Sequence, residues 1–242
     1  MEATTATAAT PSASLWEDFI DIFYAPTSVF ERRKDGRFLL ALIVLTVVIV
    51  LLLVVDLRAL APMFDAEATR MIERMRAQNP QIPAEQLQAV RQWSGRGALI
   101  GGAIFFPMSL LVLGLTVWLV GKLFGATMSV KTALMVGTYA EMPRILEQLA
   151  WIGQGYLLDP AQLDSRYSVV LGLARFLDPN TASGAVMALA ARVDLFALWV
   201  TVLIGLGLHV TGRISKGSAF AAAGLVWLVA TVPQLLGGVM GG

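Results

Sequence analysis

A chain of 242 residues that is 57% hydrophobic and only 14% charged cannot hide its apolar surface inside a soluble domain, so a membrane protein is the first reading. The net charge of +1 gives no electrostatic footprint for nucleic acid, the lack of cysteine removes disulfides and thiolate chemistry, and one histidine, His209, cannot build a multi-histidine metal centre. There is no G-x-S-x-G turn, no P-loop and no base beside an obvious nucleophile, so no catalytic residue, metal site, cofactor or enzymatic activity is expected.

In chain order, residues 1–13 lack a core-forming pattern and read as a disordered tail. Residues 14–37 read as an amphipathic segment at the cytoplasmic interface. Leu15, Trp16, Phe19, Ile20 and Phe23 fall on one side of a helix, with Glu17, Asp18 and Asp21 on another. Its polar face is acidic, so anionic lipid should not hold it as it holds a basic amphipathic helix; the helix should pack under the bundle or meet a basic partner surface. Pro26 ends it, and Ser28-Val29-Phe30-Glu31 matches a capping box that would start a second short helix. That helix carries Arg32, Arg33, Lys34 and Arg37 to the inner headgroups.

Residues 38–240 read as a transmembrane domain of five spans, at about 38–57, 97–121, 131–157, 194–211 and 218–240. Some 37 residues precede the first apolar run, too many for the basic region of a leader, so the run reads as a span and not as a cleaved signal. Between the first two spans, 65–77 and a stretch opening at Pro83 predict two short helices over the bundle. Between the third and fourth, 167–177 and 182–193 are candidate helices at the outer surface. Gly97-x-x-x-Gly101, Gly121-x-x-x-Gly125 and Gly205-Leu-Gly207 place small residues where helix backbones can approach, for packing more than for dimerisation. Lys34, Lys122, Lys131 and Lys216 all fall in the short segments on one side, which predicts an N-terminus inside and a C-terminus outside.

Gly137–Gln148, GTYAEMPRILEQ, is the one polar constellation inside a span. Glu141, Arg144 and Glu147 follow at three-residue spacing, so both carboxylates can reach one guanidinium, and Pro143 interrupts the helix between them. With Tyr139 they form a candidate site with three open readings: an internal ion pair at a kink, a pocket for a small solute, headgroup or proton, or a segment bent out to the interface.

Taken together these pieces resemble the Yip family of five-span membrane proteins, named in eukaryotes for interaction with Ypt/Rab GTPases. Asp21-Ile22-Phe23-Tyr24-Ala25-Pro26 is similar to the family's D-L-Y-G-P element, with an inserted aromatic and Ala for Gly. Gly137-Thr138-Tyr139 with Pro143 resembles its second motif, and Asp194-Leu195-Phe196 with Trp199, Gly205-Leu206-Gly207 and Ser215-Lys216-Gly217-Ser218-Ala219 resemble the bacterial pattern across the last two spans. The resemblance implies an all-α bundle acting as a non-enzymatic adaptor or membrane-organising factor in a bacterial inner membrane. A protein partner would meet Asp21, Tyr24 and Pro26, the bilayer would meet the spans, and self-association stays open. The alternative is a small carrier or channel built around Glu141 and Arg144.

Overall fold

The structure is a computed structural model and describes residues 14–240; the tail expected over 1–13 lies outside the described residues. The described residues form ten α-helices: α1 (Leu15–Tyr24), α2 (Pro26–Arg32), α3 (Leu39–Ala59), α4 (Ala61–Gln78), α5 (Ala84–Leu123), α6 (Val130–Ala140), α7 (Pro143–Leu157), α8 (Gly184–Arg192), α9 (Leu195–Gly212) and α10 (Lys216–Met240). It is an all-α membrane bundle, as expected. Among the described residues, four helical stretches are long and apolar enough to cross a bilayer: Leu39–Ala59, Gly97–Leu123, Leu195–Gly212 and Lys216–Leu236. Half of α9 is buried against 22–28% of the other three, which makes α9 the central helix and leaves the others mostly facing outward. Their outward rows, such as Leu40, Val47 and Leu51 of α3 and Phe105, Val112 and Leu119 of α5, are far too apolar for water and form the lipid-facing belt.

The expected span at 131–157 is two helices. Glu141 and Met142 form a tight turn closed by the amide of Arg144 bonding to the carbonyl of Glu141 at 3.0 Å and that of Ile145 to Met142 at 3.0 Å. Pro143 causes the break, since it lacks an amide hydrogen and crowds the turn before it, yet is well placed as the first residue of α7.

Other expectations are corrected. The short helix expected from Pro83 is the beginning of α5, which runs unbroken for 40 residues, about 60 Å, because Ser94-Gly95-Arg96-Gly97 holds no proline to stop it. The helix expected at 167–177 is replaced by 3-10 turns at Arg166–Ser168 and Leu173–Phe176. Between them Gly172 is extended and pairs with Asp194: the Leu173 amide reaches Val193 O at 3.0 Å and the Leu195 amide reaches Leu171 O at 3.1 Å. A Cβ on Gly172 would lie 2.5 Å from Val193 O, so only glycine admits this pairing. The capping box at Ser28 does not form, because Pro26 starts α2 two residues earlier; Ser14 and Glu17 form one at α1 instead. Of the expected glycine stretches, Gly205, Gly207 and Gly121 do pack closely on neighbouring helices, a Cβ on Gly207 lying 2.5 Å from Val136. Gly97 has open space around it, whereas Gly114 of α5 and Gly137 of α6 meet backbone to backbone, with a Cβ on Gly114 only 2.7 Å from Leu134 Cα.

The N-terminal segment, the elbow, is part of the core and not a layer beneath it. Phe19, Ile22, Val29 and Phe30 belong to the main buried cluster with Tyr139, Leu203 and Leu208. Phe23 meets Trp199 edge-on at 5.7 Å, and Phe30 packs at Gly207, where a Cβ would lie 3.3 Å from its ring and 2.5 Å from Val136. Those two contacts are eight positions apart, about 12 Å along α9, so the α1–α2 hairpin lies lengthwise against the central helix. The apolar face of α1 is narrower than expected: Leu15, Phe19 and Phe23 pack on the core and Glu17 is exposed, but three residues differ. Asp18 is buried, while Trp16 and Ile20 point outward. An amphipathic reading assumes water outside; beside apolar helices, the costly group turns inward.

Candidate functional site

Two buried charged clusters lie beside α9, one in the elbow packed along it and one at its N-terminal cap. In the elbow, Asp18 is fully buried and accepts from Arg32 Nε at 3.2 Å and Nη2 at 2.8 Å, from Arg33 Nε at 2.5 Å and from the Tyr139 hydroxyl at 3.3 Å. Arg32 also donates to Asp21 at 2.6 Å, and Asp21 accepts from the Tyr24 hydroxyl at 2.7 Å. The Tyr24 bond and the Arg32 guanidinium hold the Asp21 carboxyl below its ordinary value. Thus Arg32 and Arg33 fold back onto α1, while Lys34 and Arg37 stay exposed; Arg37 pairs locally with Asp35 at 2.7 Å. Pro26 opens α2 and sets the bend that brings the two helices together.

Tyr139 therefore joins the elbow and separates from the other residues of its constellation. At the α6–α7 turn Arg144 binds both carboxylates, Nε to Glu141 at 2.9 Å and Nη1 to Glu147 at 2.6 Å. Arg144 and Glu147 line a cavity of about 980 Å³ between α7, the N-terminal end of α9 and the loops around α4 and α8. We call this the loop end. Asp194 caps α9, its Oδ1 accepting from the amides of Phe196 at 2.9 Å and Ala197 at 3.3 Å. Its side chain lines the cavity at 4% exposure, and Oδ2 is buried without a hydrogen-bond partner among the described residues. Arg192 lies across from it, donating Nε to Thr231 at 3.1 Å and stacking 5.8 Å from the Trp227 ring, with no ion pair among the described residues. Burial and then the nearby Arg144 hold the Arg192 guanidinium below its ordinary value.

The rim is braced. Glu67 of α4 accepts from Arg70 at 3.0 Å and from the Arg166 amide at 3.1 Å, and Arg70 reaches Asp164 O at 2.5 Å. Near the same end, in the last turn of α3, both carboxylate oxygens of Asp56 are buried without partners among the described residues, as are Gln148 Oε1 and Trp151 Nε1 on α7. Among the described residues, no three carboxylates or histidines gather in a way that could hold a metal ion.

The residue reading missed Asp18, Arg192 and Asp194 as site members. Asp194 carried a signal, an acid immediately before an apolar run, which marks a helix cap at a membrane boundary. Asp18 carried none, because a single acid on an amphipathic helix is ordinarily exposed. Arg192 could be found only from the fold that sets it beside α10.

Long lipid-facing helices, a proline-broken helix pair and charges held in the interior define a polytopic, all-helical membrane protein. The chain belongs to the Yip1 domain family, whose profile matches residues 20–236. It is 24% identical over 191 residues, 78% of this chain and 80% of the relative, to a protein of Bacillus subtilis (strain 168) described as membrane protein YknW. No solved structure matches the chain significantly.

Proposed function

We propose that this Yip1-domain protein is a membrane-organising adaptor whose elbow acts as a wedge in one leaflet of a bacterial inner membrane. The observation that carries this is the outward stripe of α1: Trp16, Ile20 and Tyr24, at four-residue spacing, are 66%, 60% and 71% exposed while Asp18 is turned inside. Tryptophan and tyrosine favour the boundary between headgroups and hydrocarbon. A hairpin packed on α9 through Phe23 and Phe30, and welded to α6 by a buried ion cluster, adds cross-section on its own side of the bundle. The elbow end is cytoplasmic in this reading, supported by Lys34, Lys122, Lys131 and Lys216, which flank the helix ends there. Helices α6 and α7, of 11 and 15 residues, serve together as the fifth span. A cytoplasmic protein partner would meet the exposed edge from Lys34 to Arg37.

Because the chain has no cysteine, single-cysteine variants report position cleanly. In vesicles, Ile20→Cys should resist an impermeant maleimide that labels Glu31→Cys, and the wild type should gather on highly curved tubules. Replacing Trp16, Ile20 and Tyr24 together by serine should abolish that sorting. Equal labelling at the two positions would sink the wedge.

A second reading, a small carrier, is favoured by one observation: Arg144 and Glu147 line a cavity beside the α6–α7 break. Solute flux into proteoliposomes, lost in Glu141→Gln at unchanged thermal stability, would establish it. No flux with any solute that binds would retire it.

A further inference from the structure

Most charges around the loop-end cavity are already matched. Arg144 is shared by Glu141 and Glu147, and Glu67 by Arg70 and Arg166. Two groups are not. Arg192 is a half-buried guanidinium bonded only to a neutral hydroxyl and an indole face, and Asp194 Oδ2 is a buried carboxylate oxygen without a donor. They are two residues apart in the chain, and both line the cavity.

The lining holds five guanidinium groups against three carboxylates, so a simple anion would answer Arg192 but leave Asp194 Oδ2 without a donor, and a simple cation would answer Asp194 but leave Arg192 without an acceptor of its charge. A group carrying both signs a few atoms apart satisfies both, because each charge gains a charge-assisted hydrogen bond. The depth narrows the choice. Asp194 is the cap of α9, where that apolar helix begins, so the cavity floor lies at the level of lipid headgroups. Val170, Met187 and Ala188 give the same cavity apolar wall. Its volume, about 980 Å³, is at the upper end of the range for ligand pockets.

We propose that this cavity binds a zwitterionic headgroup in which Arg192 takes a phosphate and Asp194 takes a primary ammonium, the chemistry of phosphatidylethanolamine. The requirement for a donor on Asp194 predicts selectivity: a quaternary ammonium has no N–H to give, and a glycerol headgroup has no cation. The inference rests on the second reading above in using the same cavity, and it concerns binding and not transport.

The test uses the purified full chain in maltoside micelles, titrated by calorimetry with dihexanoyl phosphatidylethanolamine, phosphatidylcholine and phosphatidylglycerol, and with free phosphoethanolamine. The ethanolamine lipid should bind one site at least about tenfold more tightly than the other two lipids, since each lacks one charge-assisted contact. Arg192→Gln and Asp194→Asn should each weaken it by about tenfold, while Arg192→Lys retains part of the affinity and Lys216→Gln at the other end changes nothing. Asn still caps a helix, so Asp194→Asn should unfold at the wild-type temperature without lipid, separating lost binding from lost structure. Free phosphoethanolamine binding as tightly as the lipid would identify the soluble source of the same chemistry; much weaker binding identifies the lipid. Equal affinity for the three lipids, or unchanged affinity in both variants, overturns the proposal. Binding without flux retires the carrier and leaves this site standing, whereas no binding removes the site whatever the flux.

Discussion

In the elbow, one carboxylate receives four hydrogen bonds from Arg32, Arg33 and Tyr139 and is sealed from solvent. At the loop end, five guanidinium groups and three carboxylates line a cavity, and among the described residues one carboxylate oxygen there has no hydrogen bond and one guanidinium, Arg192, has no ion pair. Both clusters bury charge at the edge of an apolar bundle, where an uncompensated ion costs several kcal/mol. The difference lies in what compensates it. Asp18 is matched wholly by its own chain, so it welds α1, α2 and α6 into one piece. Arg192 and Asp194 are matched partly, so the remaining energy is available to whatever enters the cavity. The proposed headgroup site rests not on charge burial alone but on an unspent group that faces a cavity.

The comparison breaks most visibly through its two aspartates. Asp18→Ala leaves two arginines and a phenol facing an empty position and should cost about 3–5 kcal/mol in denaturant unfolding from mixed micelles. Asp194→Asn keeps the cap and removes an unpartnered charge, so it should change stability by no more than about 0.5 kcal/mol. If both variants are equally damaged or equally tolerated, the distinction between closed and open clusters is wrong. Next in size is Gly207→Val, which drives a side chain into Val136 and Phe30 where the hairpin meets α9. It should cost about 1–3 kcal/mol and speed the labelling of an Ile20→Cys reporter, because overpacking pushes the hairpin off. A Gly207→Val protein with unchanged labelling would show that the elbow is not held lengthwise on α9. Tyr139→Phe removes one of four bonds to Asp18 and should cost only about 0.5–1.5 kcal/mol, read by the same unfolding measurement.

Sequence patterning was sufficient for the membrane class, for the four long apolar helices and for the break at Pro143, because length, hydropathy and a missing amide are local properties. It failed wherever the surroundings decide. Patterning groups Trp16 and Ile20 with Phe19, and Asp18 with Glu17, but the bundle buries Phe19 with Asp18 and leaves Trp16 and Ile20 facing outward. Tyr139 was grouped with Arg144 by nearness in sequence, although the turn at Glu141 and Met142 sends the two to different neighbours. The glycine pairs of α5 were legible as packing signals, but the contact that matters joins Gly114 to Gly137 across two helices, a pairing that no single-helix spacing encodes. The loop end was least legible. Gly172 pairing with Asp194 and Arg192 stacking on Trp227 both join residues that meet only after the bundle has formed.

Acid sharpens the comparison by the smallest effect, at the rim of the open cluster. Burial works against the charge on Glu67, but the Arg166 amide and the guanidinium groups of Arg166 and Arg70 outweigh it and hold the carboxyl below its ordinary 4.5. A depressed carboxylate contributes stability that is fully present above its unfolded value and is lost as pH falls through the folded one. The brace between α4 and the loop should therefore hold unchanged from neutral pH down to about 5 and weaken only below 4.5, by about 0.5 kcal/mol or less for so exposed a pair. Asp21 at the elbow starts from 3.8 and is held lower still by Tyr24 and Arg32, so the closed end should outlast the rim on acidification. Hydrogen-exchange protection of the Arg166 amide, which donates to Glu67 at 3.1 Å, reads this directly. In the wild type protection should fall only below pH 4.5, and in Glu67→Gln it should be reduced at every pH. Protection lost already between neutral pH and about 5 would mean that the brace depends on some other group and that the rim is not set by Glu67.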